Sequence, residues 1–289
     1  MVKLHLQITD DNERWGNKIP INMFAYAITR NFSKFEIFGS SIPELGLQNR
    51  EYISTADLQN VDLAVRDHSI CPIFLSKQIN DRKLSTIVLE TNGVWYPHFK
   101  SHRLHFATKM ERKLVGHELN VGDESLVVNL RAGETLGRPN KHVDYGMLPI
   151  TYYLDKAMHT GLNPIFIGQI IPSSYIDKLQ KAFPDSEFID PGVKAAFATM
   201  FFAKNKVICL SSFSWFAAYL GVSNASIHIP VLGFYNPLQR PDMNWLPYDD
   251  PRYSFDYFSM DKIRVTDLTG FRKLKRSTAR LKSQIKKIL

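Results

Sequence analysis

The stretch Leu126-Val127-Val128-Asn129-Leu130-Arg131-Ala132-Gly133-Glu134 decides how the fold of this sequence is interpreted. It begins with a mostly apolar run of strand length, which an arginine, a glycine and a carboxylate follow at once. The pattern predicts a buried strand that ends in a charged turn. Because ligands of open parallel sheets bind beyond the carboxyl ends of the strands, Arg131 and Glu134 are well placed for chemistry. A strand edge closed by a surface ion pair is the simpler alternative.

The sequence around this stretch alternates between strand and helix patterns joined by short loops. Strands are predicted over 126–130, 164–168, 187–189, 207–210 and 226–231, and helices over 148–159, 174–183, 193–203 and 213–220. Such alternation predicts a doubly wound parallel sheet with right-handed crossovers, which is a Rossmann-like α/β unit. The chain has no Gly-x-Gly-x-x-Gly and no Gly-x-x-x-x-Gly-Lys fingerprint. Neither a dinucleotide oxidoreductase nor a P-loop NTPase is therefore favoured.

The N-terminal part predicts a second, smaller α/β unit. Residues 1–7 alternate like a strand, a helix is expected to open near Pro20, and residues 34–39 predict the next strand. A turn-rich loop that contains Glu44 follows at 40–46. The short apolar runs within 61–75 and 85–99 predict two or three further strands, the last of which ends near His98.

Composition bounds the class of protein and its compartment. The chain has 289 residues, of which 44% are hydrophobic, and no apolar run approaches the length that crosses a bilayer. The N-terminus starts as a strand, so no secretion signal is expected. Cys71 and Cys209 lie far apart in apolar contexts, which favours buried thiols over a disulfide or a metal site. The expected compartment is a reducing cytoplasm.

The net charge of +8 is concentrated at the C-terminus. Residues 271–289 carry eight basic residues and no acidic one, so the rest of the chain is neutral overall. A neutral body argues against binding nucleic acid along its main surface. The tail also has apolar residues at spacings of three and four, which predicts a basic amphipathic helix. Such a helix can lie on an anionic membrane, pack back on the N-terminal domain, or bind nucleic acid by itself.

A second stretch, residues 209–216, reads Cys-Leu-Ser-Ser-Phe-Ser-Trp-Phe. Together with Asn129-Leu130-Arg131-Ala132-Gly133-Glu134 it resembles the motifs of the fucosyltransferase superfamily, the α-1,2, α-1,6 and protein O-fucosyltransferases. Members carry His-x-Arg-x-Gly-Asp at a strand end and Ser-Asn-Ser-x-Phe-Ser-Trp-Trp at a helix start. Here Asn129 replaces the His, Glu134 the Asp and Leu210 the Asn, and Ala196 lies near the position of an upstream acidic residue. The resemblance covers residues 125–234.

This resemblance implies a GT-B fold, with two Rossmann-like domains facing a cleft. Residues 1–115 would form an acceptor-binding domain, residues 116–235 the nucleotide-sugar donor domain, and residues 236–289 a Pro-rich return segment with the basic helix. It implies an inverting glycosyltransferase that moves a sugar, GDP-fucose being the suggested donor, to a glycan or lipid-linked glycan of a surface polysaccharide or lipopolysaccharide. The Asp-x-Asp signature of metal-dependent transferases is absent. No metal is therefore expected. No cofactor is expected either, because the nucleotide sugar is a substrate.

The donor site is expected at the two motifs. Glycosyl transfer needs a cation or dipole that stabilises the departing diphosphate, and the planar guanidinium of Arg131 can hold two phosphate oxygens. Ser211, Ser212 and Ser214 open a helix, whose N-terminus offers free N–H groups to an anion. Simple N-capping by the serines is the alternative.

The catalytic base is assigned first to Glu134, with Asp144 and His142 as further candidates. Glu134 could equally orient Arg131. Gly133 is expected to allow close approach of the backbone to a ligand. Asn129, in the position of the family His, can form hydrogen bonds but cannot titrate.

Acceptor-binding candidates are Glu44 and His98. Glu44 lies in the loop after the second predicted strand, where capping of the next turn is the alternative. His98 is grouped with His102 and His105 at a spacing that matches no established metal site, so a cleft-lining or solvated segment is expected. Two other hypotheses for the function of the whole chain stay open. They are a catalytically silent sugar- or nucleotide-binding protein, and a nucleic-acid protein that binds through its tail.

Overall fold

The computed structural model describes residues 1–7, 14–51, 61–67, 69–91, 96–133 and 146–258. Within these residues the chain is an α/β protein with two sheets, one of four strands and one of six, and neighbouring strands in both sheets run parallel. The predicted α/β class with parallel sheets is therefore confirmed. Among the described residues, no helix is both long enough and apolar enough to cross a membrane.

The four-stranded sheet, called here the small sheet, is built from the first 91 residues. Its strands are β1 (Val2–Leu6), β2 (Phe35–Phe38), β3 (Leu63–Val65) and β4 (Thr86–Leu89), and its helices are α1 (Trp15–Thr29) and α2 (Pro72–Asp81). The strand order is β2-β1-β4-β3. Leu4 and Leu6 of β1 pack with Phe24 and Ile28 of α1 in an apolar cluster of its own.

Three predictions for the N-terminal part are wrong. The first helix begins at Trp15 and keeps Pro20 inside it, because a proline removes only one backbone donor and its neighbours maintain the helix. Residues 72–75, the end of the first of the two apolar ranges, were predicted as strand but begin a helix that continues to residue 81, with Pro72 in its first turn. Residues 96–98, the predicted end of the last strand, are also helical. Short apolar runs fit a strand and a buried helix equally well, and packing decides between them.

Two helices connect the small sheet to the second one. They are α3 (Tyr96–Lys100) and α4 (Arg103–Leu114), which are separated by two residues and are called here the connector. The connector contacts α1 on one side. On the other side, Arg103 donates from Nε and Nη2 to the backbone oxygens of Tyr219 and Gly221, at 2.6 Å each.

The six-stranded sheet, called here the large sheet, accounts for most of residues 125–257. Its strands are β5 (Ser125–Arg131), β6 (Asn163–Gln169), β7 (Glu187–Ile189), β8 (Asn205–Val207), β9 (Ser226–Val231) and β10 (Tyr253–Tyr257). The helices between them are α5 (Ile150–Thr160), α6 (Ser174–Ala182), α7 (Val193–Phe202) and α8 (Ser212–Leu220). The order β7-β6-β5-β8-β9-β10 makes the chain reverse direction across the sheet at β5, as in a doubly wound fold.

Strand β10 was not predicted. Tyr253 to Tyr257 pair in parallel with Ile227 to Val231, so the large sheet extends well past residue 235. The prolines between residues 237 and 251 indicated a segment without long elements, and a five-residue strand after the last of them satisfies that restriction.

The two sheets share one continuous apolar core through α1. Ile19 and Met23 of α1 belong to the same buried cluster as Trp215 and Phe216 of α8. A side chain on Gly16 would place its Cβ 2.5 Å from Ser212 Oγ and 2.9 Å from the Phe213 nitrogen. The first turns of α1 and α8 therefore touch, which only glycine at position 16 permits.

Candidate functional site

The carboxyl edge of the large sheet splits between β5 and β8. Leu126 to Val128 pair with Asn205 to Val207, and Val207 is also the last residue of β8 that pairs with β9, so β8 ends there while β5 continues to Arg131. Strand β5 stays paired with β6 as far as Arg131 and Gln169. This split coincides with the reversal of strand order. Crevices at such switch points are where open α/β sheets bind their ligands.

Both sequence motifs end at this split, which is called here the switch point. Arg131 is the last residue of β5 and is half-buried, and Ser211 and Ser212 begin α8 directly after β8. The charge of Arg131 acts on Cys209, which precedes the serines. Burial raises the pKa of the Cys209 thiol to about 11, while the Ser214 hydroxyl and then the Arg131 charge oppose this rise. The fold thus brings Arg131 close to the start of the serine motif.

Two of the predicted donor-binding side chains point into the protein. Asn129 is 4% exposed, and its Oδ1 accepts a hydrogen bond from Cys209 Sγ at 3.0 Å. Its Nδ2 donates to the Ile167 oxygen at 3.4 Å. Ser214 is fully buried and donates to the backbone oxygens of Ser211 and Cys209, at 3.1 and 3.3 Å. These side chains join β5, β6 and the start of α8 beneath the switch point.

The remaining serines differ in exposure. Ser211 is the N-cap residue of α8, is 6% exposed and makes no side-chain capping bond within the described chain. Its backbone oxygen accepts from Tyr235 Oη at 2.9 Å, which fixes the entry into the helix. Ser212 is half-buried in the first turn. Of the three serines Ser212 is the most exposed, although its Oγ lies beside Gly16 of α1, and the first turn also offers N–H groups.

The glycines near Arg131 have different roles. Gly133 is buried, and a Cβ there would lie 2.8 Å from Gln169 Oε1, so its nearest neighbours are the protein's own side chains. Gly168, in β6, has φ of +124°, and a Cβ there would lie 2.3 Å from the Leu130 oxygen. Gly168 was not predicted as a site residue. It allows β6 to approach β5 one residue before Arg131.

The catalytic base candidates are not located by the structure. Glu134, Asp144 and His142 all lie outside the described residues. Their roles therefore stay predictions.

The acceptor candidates Glu44 and His98 lie on separate elements. Glu44 is exposed on a 3-10 turn (Pro43–Leu45) whose next residue, Gly46, borders Lys109 and Lys113 of α4. His98 is on α3, where its ring lies 5.9 Å from that of Phe24. Burial lowers the pKa of His98 to about 4. Their described contacts are with α4 and α1 rather than with the switch point.

The C-terminal ends of α8 and α7 are held by two buried basic residues, Arg252 and Lys206, that sequence analysis missed. Arg252 is 9% exposed and donates to the Tyr219 oxygen at 2.9 Å and to Asp250 Oδ2 at 2.6 Å. Lys206, fully buried in β8, donates to the Met200 oxygen of α7 at 2.7 Å. Cations at helix C-termini complement the negative end of the dipole. Arg252 thus holds the C-terminal end of α8, whose N-terminal end lies at the switch point, and Lys206 holds the end of α7.

The described residues contain no group of three or more His, Cys, Asp or Glu side chains that could hold a metal ion. Two aspartates, one in β10 and one shortly before it, bind lysine and tyrosine side chains. Asp249 binds Tyr96 and Lys100, and Asp256 accepts from Tyr152 at 2.9 Å and from Lys156 at 2.6 Å.

A cavity of about 340 Å³ lies at the opposite end of the large sheet. Residues 116–125 and the last turn of α7 line it. It borders Ser125, which begins β5, so β5 separates this cavity from Arg131 at its other end.

No protein-family model matches the sequence, and the searches of curated protein sequences and of solved structures give no match either.

Proposed function

We propose that this protein is a glycosyltransferase that binds the diphosphate of a nucleotide sugar at the switch point between β5 and β8. One observation carries the proposal. The arginine and the serine motif, which are far apart in sequence, end at the two strands between which the sheet reverses its order. That position is where the chemistry of the residues and the geometry of the sheet both favour a phosphate group.

In the proposed reaction, an acceptor hydroxyl attacks the anomeric carbon and the nucleoside diphosphate leaves with inversion. Arg131 neutralises the charge that develops on the diphosphate, and the first turn of α8 at Ser212 adds N–H groups and a positive dipole end. Glu134 is the proposed base. The resemblance to fucosyltransferases suggests GDP-fucose as the donor. It also suggests that the small and large sheets correspond to the two lobes of a GT-B enzyme, with the acceptor on the small-sheet side.

A non-catalytic nucleotide- or sugar-binding protein is the second candidate, and a specific observation favours it. Asn129 stands where the related enzymes have a histidine, and its amide is occupied by Cys209 and by the Ile167 carbonyl in the interior. It is neither titratable nor turned outward, so it can take no proton from an acceptor.

The two candidates are separated by titration calorimetry followed by a turnover assay. Nucleoside diphosphates with each of the common bases are titrated into the full chain. The nucleotide sugars of the base that binds are then incubated with the protein, and release of free diphosphate is measured. Binding with release supports the transferase, and binding without release supports the non-catalytic protein. Failure of all of these diphosphates to bind would contradict the transferase and a nucleotide-binding protein alike, and would leave only a sugar-binding protein.

The acceptor is proposed to be a glycan or lipid-linked glycan of the cell surface, reached from the cytoplasmic side. The basic amphipathic tail, which lies outside the described residues, is proposed to hold the enzyme on an anionic membrane. Nucleic acid is not among the proposed partners, because the charge of the chain outside the tail is balanced.

A further inference from the structure

The connector presents two sets of side chains to its two neighbours. Tyr96, Lys100 and Arg103 recur at spacings of four and three, and His98, His102 and His105 repeat the same spacing two residues later. On a helical path, an offset of two residues turns the second set about 200° from the first. The two sets therefore face opposite sides of the connector.

The first set binds the segments around the large sheet. Tyr96 Oη donates to Asp249 Oδ1 at 2.6 Å, and Lys100 forms an ion pair with the same carboxylate. Arg103 donates to the backbone oxygens at the end of α8. The Lys100 and Tyr96 hydrogen bonds lower the pKa of Asp249 below its ordinary value. None of these bonds is expected to change between neutral and mildly acidic pH.

The histidine set faces α1, the helix that belongs to the small sheet. The His98 ring lies against Phe24, and the His105 ring stacks on Tyr26 with centroids 4.3 Å apart. Arg30 Nη1 lies 3.3 Å from His102 Nδ1. A guanidinium only donates, so His102 Nδ1 must be the unprotonated acceptor, and its Nε2 proton faces Ser101 Oγ at 3.2 Å.

Protonation of His102 at Nδ1 therefore breaks the hydrogen bond that this nitrogen accepts from Arg30. It also places a second positive charge beside Arg30. The charged groups of the described chain that act on His102 and His105 are Arg30 from α1 and Lys109 from α4, besides the histidines themselves, and all of them are cationic when charged. His98 Nδ1 is buried and has no hydrogen-bond partner in the described chain, so its proton would find no acceptor there.

We propose that the histidine face of the connector is an acid-sensitive contact, which releases the second half of α1 from the connector when these imidazoles take up protons. The first half of α1 stays packed on α8 through Gly16 and Ile19, and the connector stays bound to the large sheet. Acidification thus loosens the small sheet from the large sheet at one end of α1 and not at the other.

The sign of the effect follows from linkage. Burial lowers the pKa of His98 to about 4, and burial followed by the nearby cations lowers the pKa of His102 and His105. In the released state the imidazoles return to an ordinary pKa of about 6.5. The released state therefore binds protons more readily, and its population rises as the pH falls below about 6.5. For His98 alone, the equilibrium constant for release rises about tenfold from about pH 7.5 to about pH 5.5.

Hydrogen exchange of the full chain tests this contact. Exchange of the backbone amides in peptides from the second half of α1 is compared at about pH 7.5 and about pH 5.5, after correction for the effect of pH on the intrinsic exchange rate. Peptides from β5 and β6 serve as internal references. We expect protection of α1 to fall about tenfold or more in the wild type while the references change little. The double variant His98→Asn, His102→Asn keeps a hydrogen-bond acceptor for Arg30 and should lose most of this response.

Two further variants keep the test decisive if the double variant does not fold. Arg30→Gln, at an exposed position, removes the cation that opposes protonation and should reduce the response. His159→Asn, an exposed histidine near the end of α5, is the matched control and should respond as the wild type does. Equal protection of α1 at both pH values in the wild type would overturn the proposal. So would an undiminished response in both the double variant and Arg30→Gln.

Discussion

Replacing Gly168 by alanine tests whether the close approach of β6 to β5 shapes the site. At φ of +124° an L-residue is strained by about 1–3 kcal/mol. The new Cβ would also lie 2.3 Å from the Leu130 oxygen, so the strands must shift and weaken a hydrogen bond of about 0.5–1.5 kcal/mol. We therefore expect Gly168→Ala to lower the free energy of unfolding by about 2–4 kcal/mol.

Gly161→Ala is the matched control for this change. Gly161 also has a positive φ, +67°, but nothing lies within 4 Å of the position of its Cβ. Backbone strain alone should cost it about 1 kcal/mol. Urea unfolding measures both variants, and calorimetry with a nucleoside diphosphate shows whether the folded Gly168→Ala protein still binds. Equal unfolding midpoints for the two variants would refute the reasoning from close approach.

Three further predictions concern the serines, strand β10 and the tail. Ser212→Ala should weaken diphosphate binding with little change in Tm, whereas the buried Ser214→Ala should lower Tm by removing bonds inside the protein, and the reverse pattern would exchange their roles. Burial raises the pKa of Asp256, but the nearby His228 ring and hydrogen bonds from Lys156 and Tyr152 hold it below its ordinary value, so its contribution to stability is present above about pH 4 and is lost at lower pH. Asp256→Asn should therefore lower the free energy of unfolding, measured with urea near pH 7, by about 1–3 kcal/mol, and stability should fall less steeply at acid pH. An equally steep loss of stability at acid pH would argue against this role of Asp256. The protein should sediment with anionic but not with neutral vesicles, and replacing three lysines of the tail by glutamate should abolish sedimentation with the anionic vesicles. Equal binding to both kinds of vesicle, or unchanged binding after this replacement, would show that the tail has only a structural role. The residues to replace are Lys282, Lys286 and Lys287.

The large sheet could be predicted from the sequence because its strands and helices are separated by clear changes of period. The predicted strands over 187–189 and 226–231 have the bounds of β7 and β9, and the other predicted elements of residues 125–231 differ by a few residues at their ends. The small sheet was predicted less well, since Pro72–Asp81 and Tyr96–Lys100 are short apolar segments whose period does not distinguish helix from strand.

The site could be predicted only in part. That Arg131 and Ser212 share one sheet edge follows from strands that end at the same level in a parallel sheet. The inward direction of Asn129 and Ser214 could not be predicted, because it depends on where β5 and β8 separate. Arg252 and Lys206, which hold the ends of α7 and α8, carry no local sequence signal.

Strand β10 illustrates the same limit. Tyr253 to Tyr257 mix aromatic, polar and charged residues after a proline-rich segment, so the strand has neither a continuous apolar run nor a clean alternation. Its pairing with β9 and the bonds of Asp256 to α5 stabilise it through contacts distant in sequence.

The most direct test of the proposed phosphate site compares two ligands on two proteins. The nucleoside diphosphate that binds best and its phosphate-free nucleoside are titrated into the wild type and into Arg131→Lys, which keeps the charge but cannot hold two phosphate oxygens at once. Turnover of the corresponding nucleotide sugar is measured on the same proteins. We predict that Arg131→Lys keeps its Tm and its affinity for the nucleoside, binds the diphosphate more weakly, and loses about 2–4 kcal/mol of transition-state stabilisation, or about a hundredfold or more in rate. Near-wild-type turnover together with unchanged affinity for the diphosphate would contradict the assignment of Arg131 and of the switch point.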